Sequence, residues 1–286
     1  MNNGMLNTAE NAARVAGKII IKNFEKGVLT VDEKQKNDLV SNVDRECEHA
    51  IREFILNKYP THGFLGEEGG IIKARKAAED DVKKVKRRVR PDNNEYLWIV
   101  DPIDGTTNFV RGIPHVAVSI ALKINGRTEL GVVYDPIRDE MFKALRGQGC
   151  ELNDHRLRVA EAPRLDGTII ATSFPHRKRH LVPYYTDVLL RVFNDCADIR
   201  RAGTASLDLA YVAAGRLDGY FEMGLNSWDF AAGELMVREA GGMVTDFDGD
   251  NKYTESGNIV CGNSKIIRQI VSHAKAAKEG ANTSVN

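Results

Sequence analysis

The chain has 286 residues, of which 42% are hydrophobic and 28% charged, and its 40 basic side chains balance its 40 acidic ones. This length admits one large domain or two smaller ones. A neutral net charge gives no global reason to expect binding to nucleic acid or to a membrane surface, so any such function must come from a local feature.

Targeting and cysteine patterns exclude further classes of protein. The N-terminal segment MNNGMLNTAENAARVAGKIII has no basic region followed by a long apolar core, so we expect no secretory signal. No stretch approaches the roughly 18 apolar residues that a membrane span needs. The four cysteines form no close pair and the histidines are scattered, so zinc spacing and a disulfide framework are not expected. The default location is the reducing cytoplasm.

Helical periodicity and turn residues divide the first half of the chain. Residues 8–26 carry an apolar side chain every fourth position and precede a glycine, which predicts a helix. A second helix is predicted over about 42–58, and 61–70 (THGFLGEEGG) reads as a short strand. After a charged segment at 71–94, EYLWIVD predicts a buried strand. Apolar runs across 115–153, broken by NGR, DPIRD and RGQG, predict an antiparallel meander.

The second half mixes helices and strands. GTIIATSF, LDGYFEM, MVTDF and GNIVCGN predict strands. Helices are predicted over about 180–194, in TASLDLAYVAAG, which ends at Gly215, and in WDFAAGELMVREAGG. There is no strict alternation of strand and helix, so we expect layered α and β structure with mixed or antiparallel sheets. The small, polar residues at 275–286 predict a frayed, disordered tail.

The stretch DPIDGTTNF, residues 101–109, combines groups that suit phosphate chemistry. Asp101, Asp104 and the carbonyl of Ile103 follow a predicted strand and supply the oxygen ligands that magnesium prefers. Gly105 and Thr106 would then open a helix, whose first N–H groups attract anions. Alternatively, Asp104 only caps that helix or starts a turn. The stretch alone does not decide between these two interpretations.

Four further acidic residues have both a structural and a functional interpretation. GEEGG places Glu67 after a strand, as a metal ligand or as part of a solvated acidic loop. Asp229 begins a helix and is suited to cap it. Asp44 follows Ser41 at the spacing of a capping box. Glu222 ends DGYFEM and could be a simple surface carboxylate.

Taken together, these stretches resemble the inositol monophosphatase family. GEEGG, DPIDGTTNF and WDFAAGELMVREAGG are similar to its signature segments, and DLVSNVD, GTASLDLAYVAAG and DGYFEM to its supporting segments. The likeness spans about residues 5–270 and is strongest to the bacterial inositol-1-monophosphatase branch. It implies an α+β fold, a layered αβαβα sandwich of the sugar-phosphatase type, in one domain with halves at about 5–155 and 156–270. It also implies a homodimer.

The resemblance implies magnesium-dependent hydrolysis of inositol monophosphate and related polyol phosphates by metal-activated water, commonly inhibited by lithium. Carried over by position, Glu67, Asp101 and the carbonyl of Ile103 would hold one Mg²⁺, and Asp101, Asp104 and Asp229 a second. A third, weaker ion would lie near Glu67. Paired cations can activate water and stabilise a leaving oxygen. Because clustered carboxylates repel one another, we expect the metal-free site to be looser.

The resemblance also assigns the substrate contacts. Gly105 and Thr106 would bind the phosphate. Asp44 and Thr106 would polarise the attacking water and, with Glu67, form the catalytic set. The residues implied in contact with the polyol are Asp104, Gly203, Thr204, Ala205 and Glu222.

One segment departs from the family pattern. The family usually has a shorter link between GEEGG and EYLWIVD, whereas this chain carries the charged insertion 71–94, which is basic over 73–90. The simpler interpretation is a solvated insertion. The alternative is a contact with an acidic partner, such as the transcription machinery or RNA.

Other functions share these motifs. A fructose-1,6-bisphosphatase or a 3′,5′-bisphosphate nucleotidase would use the same metal residues, although GTASLDLAYVAAG followed by DGYFEM favours the inositol branch. A second class of function is a regulatory role associated with transcription or ribosomal RNA and independent of catalysis. The full set of acidic residues is more than such a binding role needs.

Overall fold

The computed structural model describes residues 2–26, 31–35, 38–74 and 94–283. Within them, an eight-stranded sheet has the order β10-β9-β8-β7-β6-β5-β3-β4. Adjacent strands within this sheet are antiparallel, except that β3 and β5 are parallel to each other. The strands are β3 (Gly63–Gly66), β4 (Gly70–Ile72), β5 (Tyr96–Asp104), β6 (Ala117–Ile124), β7 (Arg127–Asp135), β8 (Glu140–Leu145), β9 (Gly149–Leu152) and β10 (His155–Arg156).

A second sheet of five strands has the order β12-β11-β13-β15-β14. Strand β11 is parallel to β12 and β13, and the remaining pairs are antiparallel. The strands are β11 (Ile169–Thr172), β12 (Asp198–Arg200), β13 (Gly219–Glu222), β14 (Met243–Thr245) and β15 (Ile259–Gly262). A separate antiparallel pair consists of β1 (Val31–Gln35) and β2 (Asp38–Ser41).

Helices cover both sheets. They are α1 (Asn2–Lys26), α2 (Asn42–Lys58), α3 (Thr106–Val110), α4 (Val182–Asp195), α5 (Ala205–Ala213), α6 (Ser227–Glu239), α7 (Tyr253–Ser256) and α8 (Ser264–Thr283), with a 3₁₀ turn at Arg179–Leu181. Helices α1 and α2 pack on one face of the large sheet, α5 and α6 lie between the two sheets, and α4 and α8 cover the far face of the small sheet. The predicted αβαβα layering is confirmed.

Alternation along each strand produces these layers. In β5, Trp98 and Val100 face α1 and α2, whereas Ile99 faces the middle helices. In β13, Tyr220 faces the middle helices and Phe221 faces α4 and α8. Because successive strand side chains point to opposite faces, both sheets bury apolar groups on both sides.

Three predicted elements differ from the structure. The predicted helix at 8–26 begins at Asn2, and the predicted strand at 61–70 is two antiparallel strands, β3 and β4, joined by a turn. The prediction of a disordered tail at 275–286 is wrong as far as Thr283, because α8 continues to that residue. Ala274 and Ala277 are buried in the apolar layer that α4 and α8 form on the far face of the small sheet, where their small side chains permit close packing.

Most of the insertion lies outside the described residues, which stop at 74 and resume at 94, and so do residues 284–286. Among the described helices, none combines the length and apolar character that crossing a membrane requires.

Candidate active site

The end of β5 bends where its two acidic residues lie. The pairing of β5 with β6 changes register between Asp101 and Asp104. Asp101 Oδ1 accepts the N–H of Ile103 at 3.1 Å, which holds the bend. Asp104 Oδ2 accepts the N–H of Ser206 at 2.6 Å, in the first turn of α5. The large sheet and the middle helix layer therefore meet at Asp104.

Gly105 connects this bend to the short helix α3. Its φ is +93°, a left-handed conformation that side chains rarely adopt. A Cβ at Gly105 would lie 2.6 Å from Thr204 Oγ1, so the position also lacks space for one. Backbone conformation and packing both require glycine immediately before Thr106.

Asp44 fills its predicted place in a capping box and also contacts α3. The Ser41 N–H and hydroxyl lie 2.8 and 2.6 Å from Asp44 Oδ2. The Thr106 hydroxyl lies 2.9 Å from Asp44 Oδ1 and 3.0 Å from the Ile103 carbonyl, and can donate to either. Burial raises the pKa of Asp44, and the hydrogen bonds from Ser41 partly oppose this shift. The structural and functional interpretations of Asp44 are therefore compatible.

Two more acidic residues approach from other elements. Glu67 lies in the turn after β3, and its Oε1 is 3.6 Å from Nη2 of Arg177. Asp229 is the third residue of α6 and accepts the N–H of Asn226 at 2.7 Å. The residue that caps α6 is therefore Asn226, and Asp229 completes its capping box rather than being the cap itself.

These elements surround one cavity of about 150 Å³. The sequence-predicted residues that line it are Glu67, Asp101, Ile103, Asp104, Gly105, Thr106, Gly203, Ala205, Glu222 and Asp229. Asp44 is not part of the lining but contacts Thr106, which is. Thr204 was expected to contact the polyol. Instead it is fully buried, and its hydroxyl donates to the His115 carbonyl at 3.0 Å.

Burial and mutual repulsion raise the pKa values of four carboxyls that line the cavity, those of Asp101, Asp104, Glu222 and Asp229. Loss of solvation is the largest cause at each, and neighbouring carboxylates add to it. The pKa of Asp104 rises to about 6 and that of Glu222 to about 7. The pKa values of Asp101 and Asp229 are also well above the ordinary range. Ionising these groups together therefore requires compensating positive charge.

The donor chemistry of the cavity fits a hard divalent cation. The atoms available to coordinate a metal are carboxylate and carbonyl oxygens, which are the ligands that Mg²⁺ prefers. Across the part of the chain that the structure describes, however, no three His, Cys, Asp or Glu side chains form a ready-made metal-binding group.

The cavity also has a basic side, which was not predicted from the sequence. Arg177 and Arg201 line it, and each lowers the pKa of Glu222. The sheet topology explains why Arg177 lies near Glu222: Arg177 follows β11, Glu222 ends β13, and these strands are parallel neighbours. The carboxyl ends of parallel neighbours lie at the same sheet edge, where α/β proteins commonly bind ligands.

Comparisons with known proteins agree with this architecture. The model of the inositol monophosphatase family matches residues 1–279. Nus factor SuhB of Escherichia coli strain K12 is 48% identical over 272 residues, covering 95% of this chain and 96% of the relative. The structure of the extragenic suppressor protein suhB from Bartonella henselae gives a TM-score of 0.86 at 42% identity, covering 95% of this chain and 98% of that one.

An inositol monophosphatase from Anabaena gives a TM-score of 0.79 at 31% identity, covering 96% of this chain and 97% of that one. Family model, sequence relatives and solved structures all extend over nearly the whole chain. The chain therefore belongs to the inositol monophosphatase family.

Proposed function

We propose that this protein hydrolyses phosphate monoesters of small polyols, with myo-inositol 1-phosphate as the preferred substrate, in a magnesium-dependent reaction. The main support is that Glu67, Asp101, Asp104 and Asp229, which come from distant parts of the sequence, line the same cavity. When Asp101, Asp104 and Asp229 are ionised together they repel one another, and a bound cation would relieve that repulsion. Phosphate monoesters carry the negative charge that such a cation attracts.

In this proposal, two or three magnesium ions bind to oxygen donors of the cavity. Glu67, Asp101 and the Ile103 carbonyl hold one ion, and Asp101, Asp104 and Asp229 hold another. When bound, the ions supply positive charge for the phosphate and lower the pKa of water. The capping box of α6 orients Asp229, and the N–H of Ser206 orients Asp104.

Asp44 and Thr106 position the attacking water. The Thr106 hydroxyl donates to Asp44 Oδ1, so its own oxygen remains able to accept a hydrogen bond from water. Asp44 then receives the proton of the attacking water through Thr106 while the P–O bond to the polyol breaks, and the leaving polyol oxygen takes a proton from solvent water. We assign phosphate binding to the backbone N–H groups of Gly105 and Thr106.

The remainder of the cavity favours a compact substrate. Its volume of about 150 Å³ is below the roughly 300–1,000 Å³ typical of sites for drug-sized ligands. The Glu222 carboxylate accepts the Tyr220 hydroxyl and lines the cavity beside Gly203 and Ala205. A carboxylate has further acceptor positions, which suit the hydroxyl groups of a polyol. Size and polarity together support a polyol monophosphate over an adenosine bisphosphate.

Phosphate release from myo-inositol 1-phosphate, fructose 1,6-bisphosphate and adenosine 3′,5′-bisphosphate tests this proposal. We expect release that requires Mg²⁺, is fastest with the inositol ester and is lost in Asp104→Asn. Release that is unaffected by removing Mg²⁺, or that persists in the variant, would contradict the mechanism. A preference for either bisphosphate would contradict the substrate assignment alone.

A transcription-associated role is the second candidate. The observation that favours it is the name Nus factor SuhB, given to a relative 48% identical over 95% of this chain. In this proposal the chain also contacts the transcription machinery or RNA, independently of hydrolysis and inside the cytoplasm. The basic residues of 73–90 supply charge suited to such a partner.

Two variants separate this role from catalysis. In cells that lack the native gene, Asp104→Asn should keep the transcriptional phenotype of the wild type while hydrolysis is lost. Deletion of 73–90 should weaken binding to RNA in a gel-shift assay without abolishing phosphate release. If binding is unchanged by the deletion, the insertion is only a solvated segment.

Assembly and inhibition complete the proposal. From the family resemblance we propose a homodimer and inhibition by lithium. Light scattering coupled to size-exclusion chromatography tests the first, and phosphate release in the presence of lithium tests the second.

A further inference from the structure

Helix α2 carries a second buried carboxylate, one turn after Asp44. Glu48 is 3% exposed, and residues four apart lie on the same face of a helix. Its Oε2 accepts the N–H of Glu68 at 2.7 Å, and its Oε1 accepts the N–H of Gly69 at 2.8 Å. Both oxygens of Glu48 therefore hold consecutive amides of the turn that follows β3.

The same turn is held from its other side by β5. The N–H of Glu67 donates to the carbonyl of Val100 at 3.2 Å. Of the three successive backbone N–H groups at residues 67–69, the first therefore donates to β5 and the other two donate to the Glu48 carboxylate. The backbone that carries the Glu67 side chain is fixed between the large sheet and α2.

Two glycines leave space for the Glu48 carboxylate. A Cβ at Gly66 would lie 2.2 Å from Glu48 Oε2, and a Cβ at Gly69 would lie 2.5 Å from Oε1. Neither glycine has the left-handed φ seen at the adjacent Gly70. Backbone conformation therefore does not require glycine at these two positions, whereas the approach of the carboxylate does.

We propose that Glu48 is a positioning residue that acts through Glu67. It sets the Glu67 carboxylate relative to α2, the helix that also carries Asp44, and so prepares Glu67 to bind a divalent cation. Partners that orient a metal ligand commonly matter nearly as much as the ligand itself. The inference rests on the function proposed above, in which Glu67 is a ligand.

The test is Glu48→Gln, with Mg²⁺ affinity measured by titration calorimetry. Glutamine keeps the shape, but its amide has one acceptor oxygen, so its NH₂ group must oppose one of the two backbone N–H groups. We expect the dissociation constant for Mg²⁺ to rise by about 10- to 100-fold, the usual effect of losing such a partner. The KM for myo-inositol 1-phosphate at saturating Mg²⁺ should change little.

Glu239→Gln is a matched control. The Glu239 carboxylate accepts the N–H groups of Gly147 and Gly149, each at 2.9 Å, so it anchors another turn in the same way. It does not line the cavity. We expect both glutamine variants to lower the melting temperature, but only Glu48→Gln to weaken Mg²⁺ binding.

Gly69→Ala tests the same contact from the other side. Its new methyl group would displace the Glu48 carboxylate, so we expect weaker Mg²⁺ binding there too. If Glu48→Gln and Gly69→Ala bind Mg²⁺ as tightly as the wild type does, Glu48 has only a structural role. If the wild type itself binds no Mg²⁺, the proposed function and this inference fail together.

Discussion

At the scale of single residues, the contact between Thr106 and Asp44 leads to a specific prediction about kcat. Thr106→Val keeps the shape of the side chain but removes the hydroxyl that lies 2.9 Å from Asp44 Oδ1. Without it, the attacking water loses its link to the carboxylate. We expect kcat to fall by about 10²- to 10⁴-fold, the range typical of losing positioned proton transfer, with a smaller change in KM.

The control for this variant is Thr168→Val. The Thr168 hydroxyl is buried and, like that of Thr106, is a hydrogen-bond donor: it donates to the carbonyl of Leu165 at 2.6 Å. Its loss should reduce stability by about 0.5–1.5 kcal/mol, the net contribution of one hydrogen bond, because the Leu165 carbonyl still accepts the backbone N–H of Thr168. The change should leave kcat unaltered. Equal effects of the two valine variants on kcat would argue against a specific role for Thr106.

Glu222 predicts how stability changes with pH. Its pKa rises from 4.5 to about 7 in the folded protein, chiefly because burial removes solvation, and the charges of Asp104, Arg201 and Arg177 modify it. Because the folded protein holds the proton of Glu222 more tightly than the unfolded chain does, protonation favours folding, and this contribution is fully present below about pH 4.5. That contribution is lost as pH rises through about 7, because a buried charge must then form.

Glu222→Gln should remove this dependence, since the amide stays neutral. With Mg²⁺ chelated, we expect the variant to match the wild type near pH 4.5 and to be more stable by about 2–3 kcal/mol at pH 8. Urea unfolding at the two pH values measures the difference. A difference that is the same at both would show that Glu222 does not titrate in this range.

At the scale of elements, the N-terminus of α2 links stability to catalysis. Ser41 caps the helix and donates to Asp44 Oδ2. Ser41→Ala should cost about 1–2 kcal/mol of stability through loss of the cap. The hydrogen bond from the Ser41 hydroxyl lowers the pKa of Asp44, and the substitution removes it while leaving the backbone N–H bond in place. The acidic limb of the pH–rate profile should therefore move to higher pH.

Asn263→Ala separates these two effects. Asn263 Oδ1 accepts the N–H groups of Lys265 and Ile266 at 2.8 and 3.1 Å, at the start of α8. Its loss should lower stability without moving the pH profile. A shift of the acidic limb in both variants would show that the limb reports stability rather than the ionisation of Asp44.

Element-level features were the easier part to predict. The spacing of Ser41 and Asp44 predicted a capping box, and the apolar run EYLWIVD predicted buried strand β5; the structure shows both. The small, polar residues of 275–286 led to the wrong prediction of a disordered tail. Alanines such as Ala277 are small but are buried against a neighbouring helix. The tight turn between β3 and β4 was missed, since its decisive contact is with Glu48, twenty residues earlier in the chain.

At the scale of the whole molecule, the site depends on both sheets. Asp101 and Asp104 end β5 of the large sheet, Asp229 opens α6 in the middle layer, and Glu222 ends β13 of the small sheet. Spacing along the chain could not place these residues together; only the family resemblance predicted their association. Arg177, for which no motif was recognised, therefore went unpredicted although it lines the same cavity.

This assembly predicts that Mg²⁺ stabilises the fold in a pH-dependent way. Protons and cations compete for the same carboxylates, and the pKa of Asp104 is about 6. Mg²⁺ affinity should therefore increase as pH rises through about 6. Without Mg²⁺, the free energy of unfolding should fall as pH rises over the same range. The carboxyls with raised pKa values then have to ionise in the folded protein, and the stability that their protonated forms contribute at low pH is lost.

At a Mg²⁺ concentration of about 100 times its dissociation constant, the gain in stability should be about 2.7 kcal/mol. For a chain of this length that corresponds to a rise of roughly 5 °C in melting temperature. Melting temperature is measured between pH 5 and 8, once with Mg²⁺ and once with a chelator. The two curves of melting temperature against pH should diverge above pH 6. Asp104→Asn should keep them close together, because it removes one ligand of the proposed site. Parallel curves in the wild type would mean that no cation binds where the carboxylates converge.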